Sequence, residues 1–245
     1  MSNPIRISTR LAALVAALAT LGCAELQNVP LGDLISAAGL GTAGPLDDAT
    51  IASGLKEALR VGTDRTVVST SATDGFLGNA LIRIALPDEL ERGARGLRAI
   101  GFGSQVDELE RTMNRAAERA AREAGGVFVG AISQMSFADA RGILQGGEGA
   151  ATAYFRDRTS ETLRARFSPI VDESMRQVGL VKVWDQVEAS IAQLPLVPKP
   201  NVDLRAHVTQ GALDGLFTVL GQEEARIRRD PAARTTELLR TVFGR

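Results

Sequence analysis

Three observations predict an all-α fold, a multi-helix bundle with at most one short hairpin or extended arm near residues 74–87. The 245-residue chain is 44% hydrophobic but only 4% aromatic, and it carries 36 alanines. Its core must therefore be built from small and aliphatic side chains, which let helices approach closely. Apolar residues recur at spacings of three and four along most of the chain, the period of an amphipathic helix. Only Leu81-Ile82-Arg83-Ile84-Ala85-Leu86 has strand-like content, and a lone strand makes no sheet. Parallel-sheet folds are excluded on the same ground.

Taken in order, Asp47-Asp48 cap a helix carrying Ile51, Leu55, Ala58 and Leu59, which fades near Val67 to Ser71. Asp74-Gly75 is a turn signal. Residues 81–86 then pair with residues near Phe76 or pack as an extended arm. Pro87 suits the first position of a helix to about Ala99, broken by Gly101-Phe102-Gly103. The longest element follows: Val106, Leu109, Met113, Ala116, Ala120, Ala124, Val127 or Phe128, Ala131 and Met135 form one seam, about 30 residues long, with Gly125-Gly126 as a kink point. Ser136 caps a short helix, Phe137 to Leu144, closed by Gly146-Gly147. Next come a helix from Ser160 to Phe167 and another started by Ser168-Pro169. Trp184, Val187, Ile191 and Leu194 give a further stripe. Pro195 to Pro200 is a stiff connector before a carboxy-terminal helical hairpin, a long helix with Leu213, Leu216, Phe217 and Leu220, a stop at Asp230-Pro231, and a last helix containing Leu238 and Val242.

The amino terminus reads as an address. Arg6 and Arg10, with no acid among the first ten residues, precede the apolar run Leu11 to Leu21 and then Gly22-Cys23-Ala24. The run is about 17 Å long as a helix, too short for a bilayer core of about 30 Å. Residues 1–22 are thus expected to be a signal peptide and 23–47 a flexible tether, with 48–245 a single helical domain. Gly22-Cys23 resembles a lipoprotein signal, so Cys23 is the expected lipidation site and a membrane the expected partner through that lipid. An ordinary cut after Ala24 is the alternative. The expected location is the bacterial cell envelope on the periplasmic side, as an outer-membrane lipoprotein or, alternatively, a soluble periplasmic protein.

Chemistry is sparse. One histidine and one cysteine exclude zinc fingers, Cys-x-x-Cys redox centres and disulfide frameworks by counting. With 28 basic against 29 acidic residues interspersed along the chain, no nucleic-acid partner is expected. His207 is the one imidazole base, with Asp203 four residues earlier as its orienting acid and Thr209 and Asp214 nearby; a hydrolase-like activity through it is the lesser alternative to a non-enzymatic chain. Glu108, Glu118, Glu123 and Glu223-Glu224 read as solvated faces, and no metal or cofactor is expected. Gly39 to Gly44 fits the dinucleotide spacing, but no βαβ unit surrounds it, so it reads as linker. Gln145 to Thr152 reads as a tight turn followed by small residues that let Tyr154-Phe155 pack. Phe128, Tyr154, Phe155 and Trp184 are the candidate walls of a ligand pocket.

The stretches GLKEALRVGTDR (54–65), DGFLGNALIRIALP (74–87), MNRAAERAA (113–121), FADARGILQGGEGAATAYFRDRTSETL (137–163) and LDGLFTVLGQEEARIRRDPAARTTELLRTVFG (213–244) together resemble a bacterial family catalogued as domain of unknown function 4197. That resemblance implies an export or lipoprotein signal and a mainly helical body, and it carries no catalytic residues. The expected function is an exported helical envelope protein, a non-enzymatic interaction module tethered to a membrane and facing another envelope protein. The alternative is a carrier holding a small apolar or lipid ligand between its Ala-rich helices.

Overall fold

The computed structural model describes residues 48–177, 189 and 202–230. Among them are seven α-helices and no strand: α1 (Asp48–Ser71), α2 (Asp88–Ala99), α3 (Gly103–Ala121), α4 (Ala124–Gln134), α5 (Phe137–Gln145), α6 (Ala150–Gln177) and α7 (Leu204–Arg229). Cys23, Trp184, the expected signal, tether and Pro-rich connector, and the last helix of the hairpin lie outside the described residues.

The core follows the predicted stripes. On α1, Ala52, Leu55, Ala58 and Leu59 are buried, and the helix then runs on to Ser71 with Thr63, Thr66 and Thr70 facing inward. Buried hydroxyls are tolerated there because they donate to carbonyls one turn back: Thr66 Oγ1 to Gly62 O at 2.8 Å and Thr70 Oγ1 to Thr66 O at 2.8 Å. At the centre, α7 packs against α1, α3 and α6. Its buried Leu213, Leu216, Phe217 and Leu220 carry the predicted apolar face. Burying each such side chain contributes about 1.5–3 kcal/mol.

Two expected helix boundaries are corrected. The single helix through 106–135 is instead two, α3 and α4, parted at Arg122-Glu123 just before the glycine pair. The apolar seam crosses the break unbroken, since Met113, Ala116, Ala117, Ala120, Ala121, Ala124 and Phe128 are all fully buried. Conversely, the two helices expected around Ser168-Pro169 are one, α6, with Pro169 inside it. Phe155, Thr159, Leu163, Phe167 and Val171 recur every fourth residue on its buried face, while Pro169 and Ala165, one turn before it, are exposed, so the carbonyl that proline cannot satisfy turns to water.

Other punctuation follows the chemistry of the residues. Ser136 and Asp139 form a reciprocal capping box at the start of α5, and Asp203 caps α7 by accepting from Ala206 N at 2.9 Å. Pro87 stands at the cap of α2 rather than at its first helical position. At the Asp74-Gly75 turn, Asp74 has φ 65°, and a Cβ on Gly75 would lie 2.4 Å from Ser69 O, so only glycine fits. Beyond the turn no hairpin forms: Leu81 and Ile82 lie in a second turn, closed by Ile82 N and Arg83 N donating to Asn79 O, and residues 83–86 follow as an extended arm, with Ile82, Ile84 and Leu86 buried and Leu81, Arg83 and Ala85 exposed.

Candidate functional site

A lone extended segment needs partners for its backbone, and three side chains supply them to the arm and the turn before it. Asn114 Nδ2 donates to Ile84 O at 2.8 Å while its Oδ1 accepts from Ile84 N at 2.9 Å. Glu118 Oε1 accepts from Phe76 N and Leu77 N at 3.2 and 3.3 Å, and Arg115 joins Glu118 to Asp74 at 2.6 and 2.7 Å. His207 Nε2 lies 2.9 Å from Ala85 O, so it donates there. The arm can lie close on α7 because Gly211 and Gly215 face it: a Cβ at Gly215 would stand 2.4 Å from Phe76 Cε1, and one at Gly211 3.0 Å from Ile84 Cγ1. Along the outer side runs an open cleft of about 430 Å³ that His207, Gln210, Asp214 and Thr218 share with the arm.

This arrangement corrects two expectations. Asp203 does not orient His207; its carboxylate is on Ala206 N. Glu118 and Glu224 are not solvated faces, being 3% and 8% exposed. Glu224 accepts from Ala151 N at 3.1 Å and from Thr152 N and Oγ1 at 2.9 and 2.8 Å, closing the amino end of α6, and Arg228 Nε pairs with it at 3.0 Å. A carboxylate at a helix amino end is stabilised by both the free N–H groups and the helix dipole.

The second and larger cleft, about 530 Å³, lies between α4 and α6. Gly126, Gly130 and Gln134 line it from α4; Tyr154, Arg158, Thr162 and Arg166 line it from α6, with Asp139 at one end. The two helices run antiparallel there, since Tyr154 Oη donates to Ala131 O at 3.3 Å while Arg166 reaches Glu123 at 3.6 Å. Burial, and then the Asp139 charge, push the Tyr154 phenol above its usual range, which keeps that donor protonated. The Asp139 carboxyl is held below its usual range by the Ser136 hydroxyl and backbone N–H, and further by Arg158.

Of the aromatic residues expected to wall a pocket, Phe128 and Phe155 are corrected to core: both are fully buried, with ring centroids 5.0 Å apart, and Phe128 also meets Phe217 at 6.3 Å. Tyr154 does line a cleft, but a polar one. The apolar space among Leu55, Leu59, Leu220 and Ile227 amounts to about 30 Å³, the room of one water molecule. Sequence reasoning missed Arg158, Thr162 and Arg166; their i, i+4, i+8 spacing is the signal that places them on one helix face, matched by Gly126, Gly130 and Gln134 on α4.

A family model described as a protein of unknown function, DUF4197, matches residues 45–244. The chain belongs to the DUF4197 family. No curated protein and no solved structure matches it. Every element of this DUF4197 chain described above falls inside the matched span, both clefts included. Among the described residues, no helix is long and apolar enough to cross a membrane.

Proposed function

We propose that this DUF4197 protein is a non-enzymatic interaction module of the bacterial cell envelope, which receives a segment of another envelope protein in the α4–α6 cleft. The observation that carries this reading is the distribution of space. The apolar pocket beside α1 and α7 has room for about 30 Å³, whereas the α4–α6 cleft opens about 530 Å³ along two helices whose facing residues are glycines on one side and long polar side chains on the other. A hydrocarbon ligand needs more apolar room than that pocket leaves, and the cleft of about 270 Å³ that Ile51, Phe137 and Leu144 line is also walled by Arg141 and Gln145, so the carrier reading has less support. His207 spends its Nε2 on the Ala85 carbonyl and its expected acid caps a helix, so the enzyme reading has less support too.

Location rests on the sequence. Residues 1–22 act as the export signal, Cys23 takes the lipid, and Ala24 after it suits transfer to the outer membrane. A photocrosslinking residue introduced at Thr162 in the full chain, in intact cells, tests the partner reading against the same residue at Val68, which is 70% exposed on α1. A discrete protein adduct from Thr162 and none from Val68 is expected. Identical products at both positions, or none at Thr162, would overturn it.

A further inference from the structure

We propose that the α4–α6 cleft binds an extended acidic peptide segment whose carboxylates, about four residues apart, meet Arg158 at one end and Arg166 at the other; this rests on the cleft being the partner site. The chain as a whole has a net charge of −1, so nothing draws an anion to its surface in general. Attraction must be local. Within the cleft, Arg158 and Arg166 are 58% and 54% exposed, and their nearest carboxylates are loosely placed: Asp139 and Asp157 at 3.8 and 3.9 Å from Arg158, Glu123 at 3.6 Å from Arg166. Neither guanidinium makes a hydrogen bond to these carboxylates, which lie beyond 3.5 Å. Arg176, by contrast, donates to Asp172 at 2.8 Å and to Glu173 at 3.0 Å. Asp139 Oδ2 is taken by Ser136 N and Oγ, and its Oδ1 stands 3.8 Å from Arg158 Nη2, too far for a hydrogen bond. Both cleft guanidiniums therefore keep N–H donors for an incoming carboxylate, the contact that arginine makes best.

Spacing selects the ligand. Arg158 and Arg166 are eight residues apart on α6, about 12 Å along the axis. Asp139, on α5, lies near one and Glu123, at the amino end of α4, near the other, so the side chains do not converge on a single compact anion. An extended chain covers about 12 Å in roughly four residues. Between the two arginines, Thr162 is exposed and makes no back-bond of the kind that Thr159 and Ser160 make at 2.6 and 2.5 Å, so its hydroxyl faces the ligand's path. Opposite, Gly126 and Gly130 have no atom within 4 Å of where a Cβ would stand, leaving a floor on which a peptide backbone can lie.

The test is amide chemical-shift mapping on the full chain with the peptide acetyl-Glu-Ser-Gly-Ser-Glu-amide, its Gln-for-Glu counterpart, and inorganic phosphate. Shifts confined to Gly126, Gly130, Thr162 and their neighbours with the Glu peptide alone are expected, weakened about tenfold by either Arg158→Gln or Arg166→Gln and unaffected by Arg60→Gln. Equal response to both peptides, a phosphate response at the same residues, or unchanged binding in the Gln variants would overturn the proposal. A Glu peptide that does not bind while Thr162 still crosslinks a partner in cells sinks the acidic ligand and leaves the partner site standing; loss of both sinks the site itself.

Discussion

Asn114 holds Ile84 by both of its backbone groups, donating through Nδ2 to the carbonyl at 2.8 Å and accepting through Oδ1 from the N–H at 2.9 Å. A side-chain amide on α3 thus takes the place of a neighbouring strand. Its second Nδ2 hydrogen goes to Glu110 O at 2.8 Å, so the fully buried amide leaves no donor unused. Replacing it with leucine strands two backbone groups, the N–H and C=O of Ile84, at about 1–3 kcal/mol each before relaxation, while Glu110 O keeps its helical hydrogen bond. Asn114→Leu is expected to lose about 3 kcal/mol in urea unfolding; a loss below about 0.5 kcal/mol would mean that the arm does not depend on this contact.

Glycines on two helices should respond in opposite directions. Gly215→Ala drives a methyl into Phe76 and Ile82 and is expected to cost about 1–3 kcal/mol. Gly126→Ala meets nothing and adds helix propensity, so it should stabilise by up to about 1 kcal/mol. Thermal unfolding of the pair checks this, and a common sign would contradict the close approach of the arm to α7.

This pair also marks how far the sequence can be read. The helical stripes, the Ser136 cap, the Asp74-Gly75 turn and the stop at Asp230 follow from local period and local chemistry, and each is visible in a few neighbouring residues. Glu118 and Glu224 read as solvated from the sequence because their partners, Phe76, Leu77, Ala151 and Thr152, lie about 40 and 70 residues away. On a helix, a buried carboxylate and a solvated one look alike until the turn or helix end that it closes is in place. Phe128 and Phe155 suggest a pocket by their aromaticity alone, yet aromatic rings in an Ala-rich bundle are what fills the gaps the small residues leave. The cleft is hidden for the converse reason, since its α4 wall is defined by side chains that glycine lacks.

Glu224 closes α6 with three hydrogen bonds and pairs with an arginine that is itself mostly buried. Glu224→Ala is expected to cost about 3–5 kcal/mol, because Arg228 loses its carboxylate in a setting where water cannot fully replace it. Glu57→Ala, which breaks the exposed Arg60 pair, should cost less than about 1 kcal/mol. Comparable losses in urea unfolding would contradict the difference in burial.

The capping box gives a pH dependence with a definite sign. Asp139 is depressed by Ser136 and then by Arg158, so its contribution is present above the carboxyl's unfolded value and is lost as pH falls through the lowered folded value. In Ser136→Ala the Asp139 titration, followed by carboxyl NMR, should move up toward the ordinary carboxylate range. An unchanged midpoint would show that Ser136 is not its cause.

The α4–α6 cleft is the proposed place where this DUF4197 protein meets its partner. Gly130→Trp fills that cleft from a position with open space above it, whereas Val68→Trp enlarges an exposed residue on α1. Affinity purification of each full-length variant after crosslinking in intact cells measures the difference. With both variants unfolding like the wild type, loss of one co-purifying protein from Gly130→Trp and its retention by Val68→Trp is the predicted result. The same proteins recovered with Gly130→Trp as with wild type would contradict the account.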